Sequence, residues 1–287
     1  MDLDIILLIL ILLIIYIFSY DNYEFMTERP FLWSYWENKS PNRGPPPYIK
    51  LCFKSFKKHC SSSFNVQILD ENTVKKYLPN LRQDINKLPL ALKADYIRIC
   101  LLYYYGGIWL DADTIVMRDL YPFIEKLKYY DFIGFGCTGK ICSSHNGKPR
   151  PSNGAMGSRP YGILMGSVLK KLNSMITTKK KFEYFELGKL VLWTEIESLK
   201  NQIGYDYYHY DSVVDGSRDK DGNWIAPELI FRNPLNIDQT KPYIIFLANS
   251  IYCGSNPKYN FFCKLSESDI MNGDYFISRL FKKSLLL

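Results

Sequence analysis

The sequence predicts an α/β fold: a Rossmann-type, mixed but mostly parallel sheet flanked by helices, preceded by a single N-terminal transmembrane helix. Three observations carry this expectation. Strand-like apolar runs alternate with helical ones from residue 31 onward, the pattern of parallel strands joined by covering helices. The stretch Ala91–Leu120, ALKADYIRICLLYYYGGIWLDADTIVMRDL, reads as helix, double-glycine turn, apolar strand and two aspartates one residue apart. Finally, Ile5–Phe18 is a run of fourteen apolar residues.

Taken in chain order, that run comes first. With Ser19 and Tyr20 it would cover about 24 Å as a helix, a little short of a ~30 Å hydrocarbon core. Met1–Asp4 is acidic and no small-residue cleavage site follows, so an uncleaved anchor over residues 1–20 is expected rather than a signal peptide. Its orientation stays open. Arg29, Lys39 and Arg43 favour a cytosolic main domain, whereas the sequon Asn38-Lys39-Ser40 favours an ER/Golgi-type location.

Residues 21–30 read as a linker and 31–287 as one domain, ample for a buried core. Pro30–Trp36 is the first predicted strand. A Pro-rich loop leads into a helix over Tyr48–His59, with Ile49, Phe53 and Phe56 at helical spacing. Asn65–Leu69 is a second strand, and a helix follows through Tyr77. Pro89 precedes the motif helix over residues 90–104, Gly106-Gly107 ends it, and Ile108–Leu110 returns as a strand. Asp131–Gly136 reads as another strand, 137–160 as a long loop, and 162–203 as mainly helical. Tyr205–Val214 and Trp224–Phe231 look like a β pair around an Asp-Lys-Asp-Gly turn, with Tyr243–Leu247 after it.

Composition narrows the chemistry. Lys and Arg exceed Asp and Glu by seven, but the basic residues are dispersed, which argues against nucleic-acid binding. Tyrosine is abundant, at 23 residues, and suits carbohydrate or nucleobase surfaces, although compositional bias explains it equally well. No C-x-x-C is present among the seven cysteines, so the usual zinc spacing is missing. Cys137 with Cys142, and Cys253 with Cys263, could close small loops in an oxidising compartment. Seven reduced thiols, with Cys100 packed in the core, is the preferred reading.

The chemistry-bearing residues lie together. Asp95 and Arg98 are three apart on an otherwise apolar helix, so they share one face in a half-buried setting. Asp111 and Asp113 alternate to the same side where their strand runs out, a common place for binding groups in α/β folds. Two like charges there call for a cation, and Mn2+ or Mg2+ completed by diphosphate oxygens meets that demand.

The combined A-x-x-A-D-x-x-R…Y-G-G-I-W-L-D-A-D resembles the D-x-D glycosyltransferases of the glycosyltransferase-32 and capsular-polysaccharide-synthesis type. The likeness extends to FLWSYWE, PPPYIKLCFKSFKKHC and FNVQILDENTV, and more faintly to Ser152–Pro160. It implies a GT-A-like fold, a UDP- or GDP-sugar donor and a divalent metal. It further implies a glycan, lipid-linked or protein acceptor and, usually, retention of configuration. By this resemblance Asp113 binds the metal, and Asp111 reaches ribose and the metal's water shell. Asp95 and Arg98 hold the donor sugar, and Trp36 stacks on the base. Asn153 is a candidate donor or acceptor contact. His209, Asp211, Asp215 and Asn249 are candidates for a late metal ligand.

Two alternatives stand beside this. L-D-A-D-T also fits the D-x-D-x-T motif of haloacid-dehalogenase-like phosphatases, with Asp111 as nucleophile, although about eighty residues and two strands precede it here. The other is a catalytically inactive, membrane-tethered nucleotide-sugar binding protein.

Overall fold

A computed structural model describes residues 6–7, 9, 29–38, 44–137, 150–179, 181–211, 242–247, 249–254 and 259–286. The order begins β1 (Phe31–Tyr35), α1 (Pro47–Cys60), β2 (Asn65–Leu69) and α2 (Val74–Tyr77). Then come α3 (Leu90–Tyr105), β3 (Gly107–Leu110), β4 (Thr114–Val116), α4 (Tyr121–Lys126) and β5 (Phe132–Cys137). Next are β6 (Arg150–Ser158), α5 (Ile163–Thr178), a π-helical turn (Glu186–Leu190) and α6 (Val191–Ile203). The chain closes with β7 (Tyr208–Asp211), β8 (Ile244–Phe246), α7 (Asn249–Tyr252), α8 (Glu267–Asn272) and α9 (Phe276–Leu286).

Six strands form one sheet in the order β2-β1-β3-β6-β5-β7. β1 runs parallel to β2 and β3, and β5 runs parallel to β7. β6 lies between the two parallel groups and is antiparallel to both its neighbours. β4 and β8 form a separate antiparallel pair. The sheet is therefore mixed, as expected of the fold class.

Alternation along the pleat sends successive side chains into two cores. Leu32, Ile108, Leu110, Ile133 and Phe135 meet α1 and α9 on one face. Trp33, Trp109, Phe132 and Met156 meet α3, α5 and α6 on the other. Helix α3 carries apolar residues nearly all round because it is buried nearly all round. It ends where Gly106 and Gly107 take φ of 65° and 93°. A Cβ on Gly107 would stand 2.2 Å from the Phe31 carbonyl oxygen, so the crossing of β3 beside β1 admits no side chain there.

Two expectations are corrected. Among the described residues no helix is long and apolar enough to cross a membrane, which overturns the predicted transmembrane helix and the single-pass localisation drawn from it. Apart from residues 6, 7 and 9, the stretch 1–20 lies outside the described residues. Within the expected loop 137–160, residues 150–158 form a central strand. Their sequence, RPSNGAMGS, has low strand propensity, and pairing on both sides overrides it. Of the expected β pair, Tyr208–Asp211 forms β7, parallel to β5, and Trp224–Phe231 lies outside the described residues.

The structure joins Cys253 and Cys263 as a disulfide, against the fully reduced reading, with a Cα–Cα distance of 5.4 Å. Cys52, Cys60 and Cys100 are buried free thiols. Cys142, half of the other suggested pair, lies outside the described residues.

Candidate functional site

The site forms where β3 ends, beside the middle of β6. The Asp111 backbone N–H donates to the Gly154 carbonyl at 2.7 Å, which ties the two strands together at this point. Trp109, two residues earlier on the same side of β3, donates its indole N–H to Asp111 Oδ1 at 2.8 Å. Helix α3 packs over that face and delivers Asp95 and Arg98 from one turn.

Arg98 is the hub. Its Nη2 lies 3.2 Å from Asp95 Oδ1 and 2.9 Å from Asp111 Oδ1. Its Nη1 donates to the Asn153 carbonyl, and its guanidinium carbon stands 5.0 Å from the centre of the Trp109 ring. Asn153 returns the contact, its side-chain amide donating to Asp95 Oδ1 at 2.8 Å. The structure thus brings Asp95, Arg98, Asp111 and Asn153 into one network. Asp95 and Arg98 are buried, whereas 35% of the Asp111 side chain remains open to solvent.

Asp113 sits in the link between β3 and β4, held by a different part of the chain. Its carbonyl accepts the Leu247 N–H at 2.8 Å, and its Oδ2 accepts the Asn249 N–H at 3.0 Å. The Tyr48 hydroxyl in turn donates to Asn249 Oδ1. Of the late-ligand candidates, Asn249 therefore reaches Asp113 through its backbone. His209 and Asp211 are on β7, three strands from β3 and roughly 14 Å away at the usual strand spacing. Asp215 lies outside the described residues.

Trp36 follows β1 directly. The pairing of Trp33 with Trp109 puts Trp36 about one residue beyond the level of Asp111. Its backbone N–H donates to Leu69 O at 2.9 Å and its indole N–H to Asn38 Oδ1 at 3.0 Å. Nearby, Lys93 and Glu37 form a partly buried pair at 2.7 Å.

The carboxyls feel their surroundings. Burial pushes Asp95 up to about 6, opposed by the Arg98 charge. Burial raises Asp111 as well, again opposed by Arg98. Asp113 is pushed up to about 7, first by burial and then by the Asp111 charge. Although part of Asp111 is solvent-reachable, it lies in a recess deep enough for the low dielectric to dominate.

Sequence reasoning missed three contributors. Trp109 was legible, since a Trp two residues before an Asp on a strand shares its face. Gly188 left a weaker signal, a lone glycine in a helical stretch. Its backbone, at φ −99° and ψ −110°, breaks the helix. A Cβ there would stand 2.3 Å from the Asn153 side-chain nitrogen and 2.7 Å from Asp95 Oδ2. Tyr48 gave no signal, because long-range packing brings it to Asn249, itself a late-ligand candidate that meets Asp113 through its backbone N–H.

The architecture and this strand-end cluster define an α/β protein with a polar, acidic recess at the carboxyl end of β3. The family model of the capsular polysaccharide synthesis protein matches residues 13–223, and the chain belongs to that family. It is also 25% identical over 126 residues to an O-glycosyltransferase, PaGT, of Phomopsis amygdali. That alignment covers 36% of this chain and 29% of the relative, so the chain spans under a third of the curated relative it matches.

Among solved structures it is similar to the glycosyltransferase GlyE of Streptococcus pneumoniae TIGR4, with a TM-score of 0.48 and 12% identity over 90% of this chain and 64% of that one. It is similar to the galactosyltransferase LgtC, with a TM-score of 0.44 and 12% identity over 90% and 96% of the two chains. It is similar to the PaToxG glycosyltransferase, with a TM-score of 0.44 and 17% identity over 61% and 70%.

Proposed function

We propose that the protein is a metal-dependent glycosyltransferase. It moves a hexose from a UDP- or GDP-sugar to a glycan, lipid-linked or protein acceptor, with retention of configuration. The observation that carries this reading is the charge of the recess. Asp95, Asp111 and Asp113 bring three carboxylates, and Arg98 is the one cation in contact with them among the described residues. Two negative charges are left over; burial raises both Asp111 and Asp113, and the Asp111 charge raises Asp113 further. Family membership and the relatives' printed activities support the same reading.

A divalent cation fits these residues. Arg98 and Trp109 bind Asp111 through Oδ1, and Asn249 binds Asp113 through Oδ2, so each carboxylate keeps one oxygen free of these bonds. Among the described residues no group of three or more His, Cys, Asp or Glu side chains gathers around a common point. Mg2+ and Mn2+ suit such a site, since they need one or two carboxylates and take the rest from phosphate oxygens and water. When bound, the metal would neutralise charge developing on the diphosphate leaving group.

The chain's own residues do the positioning. Arg98 bridges Asp95 and Asp111 through Nη2, and the Asn153 amide donates to the same Asp95 oxygen. These groups then present acceptors to sugar hydroxyls without rearranging during the reaction. Trp36 lies at the mouth of the same strand ends, where a base can stack on it.

The test is a screen of UDP- and GDP-sugars for Mn2+-dependent donor hydrolysis by the full chain. Failure of every donor, together with absence of metal-dependent nucleotide binding, sinks the reading. Binding without turnover supports an inactive nucleotide-sugar binder instead, and a trapped phosphoryl group on Asp111 supports the phosphatase.

A further inference from the structure

A second recess lies at the opposite end of β1 and β3. It is a cavity of about 330 Å³ bounded by α2, the C-terminal half of α3 and the turn between β6 and α5. Five of its lining residues are tyrosines, Tyr77, Tyr96, Tyr104, Tyr105 and Tyr161, and Asn80 adds an amide. Tyr105 precedes β3 and Asp111 follows it, so this four-residue strand, roughly 13 Å long, lies between the Tyr105 wall of the cavity and Asp111, while Tyr96 on another wall is the chain neighbour of Asp95 on α3.

Tyr161 is the unusual member. It is the one non-glycine described residue with positive φ, at 55°, where a bulky side chain is strained. The turn is pinned on both sides. The Tyr161 N–H donates to Tyr103 O at 2.5 Å, and the N–H groups of Ile163 and Leu164 donate to the Asp131 carboxylate at 3.1 Å each. Arg159 also donates from its side chain to the carbonyls of Leu127 and Lys128. These bonds hold the Tyr161 ring edge-on to Tyr103 and Tyr104, with centroids 5.4 and 6.3 Å away, yet 60% exposed. A structure that sustains strain to keep a tyrosine in solvent is holding a binding wall in place.

The chemistry of the wall names its ligand. Among the described residues no charged side chain lines the cavity, so an ion would lose its hydration without compensation. The Tyr105 hydroxyl is spent on Tyr77 O and that of Tyr96 on Asn173. Among the described residues, the hydroxyls of Tyr77, Tyr104 and Tyr161 have no hydrogen-bond partner. Ring faces for C–H surfaces, with unpaired hydroxyls at their tips, match the two-sided character of a sugar ring. The volume falls at the small end of ligand sites, room for one or two sugar residues. We infer that the tyrosine cavity between α2, α3 and Tyr161 binds a neutral hexose residue of a glycan, at a site separate from the acidic recess. This holds whether or not the strand-end carboxylates transfer sugar.

Saturation-transfer NMR on the full chain tests it, with the methyl glycosides of glucose, galactose and mannose as probes and glucuronate as the charged control. At least one neutral glycoside should bind saturably in the millimolar range, and glucuronate roughly tenfold more weakly. Tyr161→Ala and Tyr104→Ala should each weaken the neutral glycoside by roughly tenfold or more and leave Mn2+-dependent donor hydrolysis unchanged. Tyr161→Gly suits the backbone angle, so it should fold and still lose binding. Absence of binding by all three glycosides overturns the inference. So does binding that survives both Tyr161 variants, or cyclohexanol binding as tightly as the sugars. Loss of donor hydrolysis in Asp113→Asn with glycoside binding intact shows the two sites to be independent.

Discussion

Arg98 touches two carboxylates, a backbone carbonyl and an aromatic face at once, so its replacement removes several supports together. Arg98→Lys keeps the charge but loses the fork that reaches Asp95 and Asp111. We expect donor hydrolysis to fall by about a hundredfold or more, measured as kcat/KM with excess Mn2+. Asp113→Asn should lose metal-dependent turnover to a similar degree while its melting temperature holds or rises, because it removes a charge that burial disfavours. A large drop in Tm for Asp113→Asn would show the carboxylate to be structural. Gly188→Ala meets Asn153 and Asp95 head-on and should cost about 1–3 kcal/mol in urea unfolding, with a matching loss of donor affinity.

At the scale of elements, the turn between α3 and β3 carries the site's geometry. Gly107→Ala combines a positive φ with a 2.2 Å approach to Phe31 O. It should destabilise the fold by more than about 2 kcal/mol, read from the urea midpoint. That helix, turn and strand were legible in the sequence because Asp95, Arg98 and Asp111 lie within one short stretch whose local geometry decides their placement. The reversed strand was not legible. Arg150–Ser158 carries the residues of a loop, and only its pairing with β3 and β5 makes it a strand. Asn153 was therefore singled out as a loop residue and proves to be a sheet residue facing Asp95. The bend at Gly188 and the contact of Tyr48 with Asn249 escaped for the same reason, since contacts distant in sequence set them.

For the whole molecule, the buried carboxyls make stability depend on pH in a stated direction. A carboxyl whose folded pKa exceeds its unfolded value contributes stability below the unfolded value and loses it as pH rises through the folded one. Asp95, raised from 3.8 to about 6, and Asp113, raised to about 7, should thus weaken the metal-free protein between pH 4 and 7. The Asp95 share is about 3 kcal/mol. Mn2+ should restore stability more at pH 8 than at pH 5, and thermal unfolding with and without EDTA checks it. Equal Mn2+ effects at both pH values would count against the carboxylates as ligands.

The two-faced core also has a consequence for how the chain is made. The face that covers Leu32 and Ile108 is completed by Phe276, Ile277, Leu280 and Phe281 of α9, which is translated long after β1 and β3. The opposite face is closed by α3, α5 and α6, all translated by residue 203. During synthesis, the nascent protein therefore carries one finished side and one bare apolar side until α9 emerges. Protection by a chaperone would be needed over that interval, and a stop codon shortly before residue 276 should yield an aggregating product rather than a weaker enzyme.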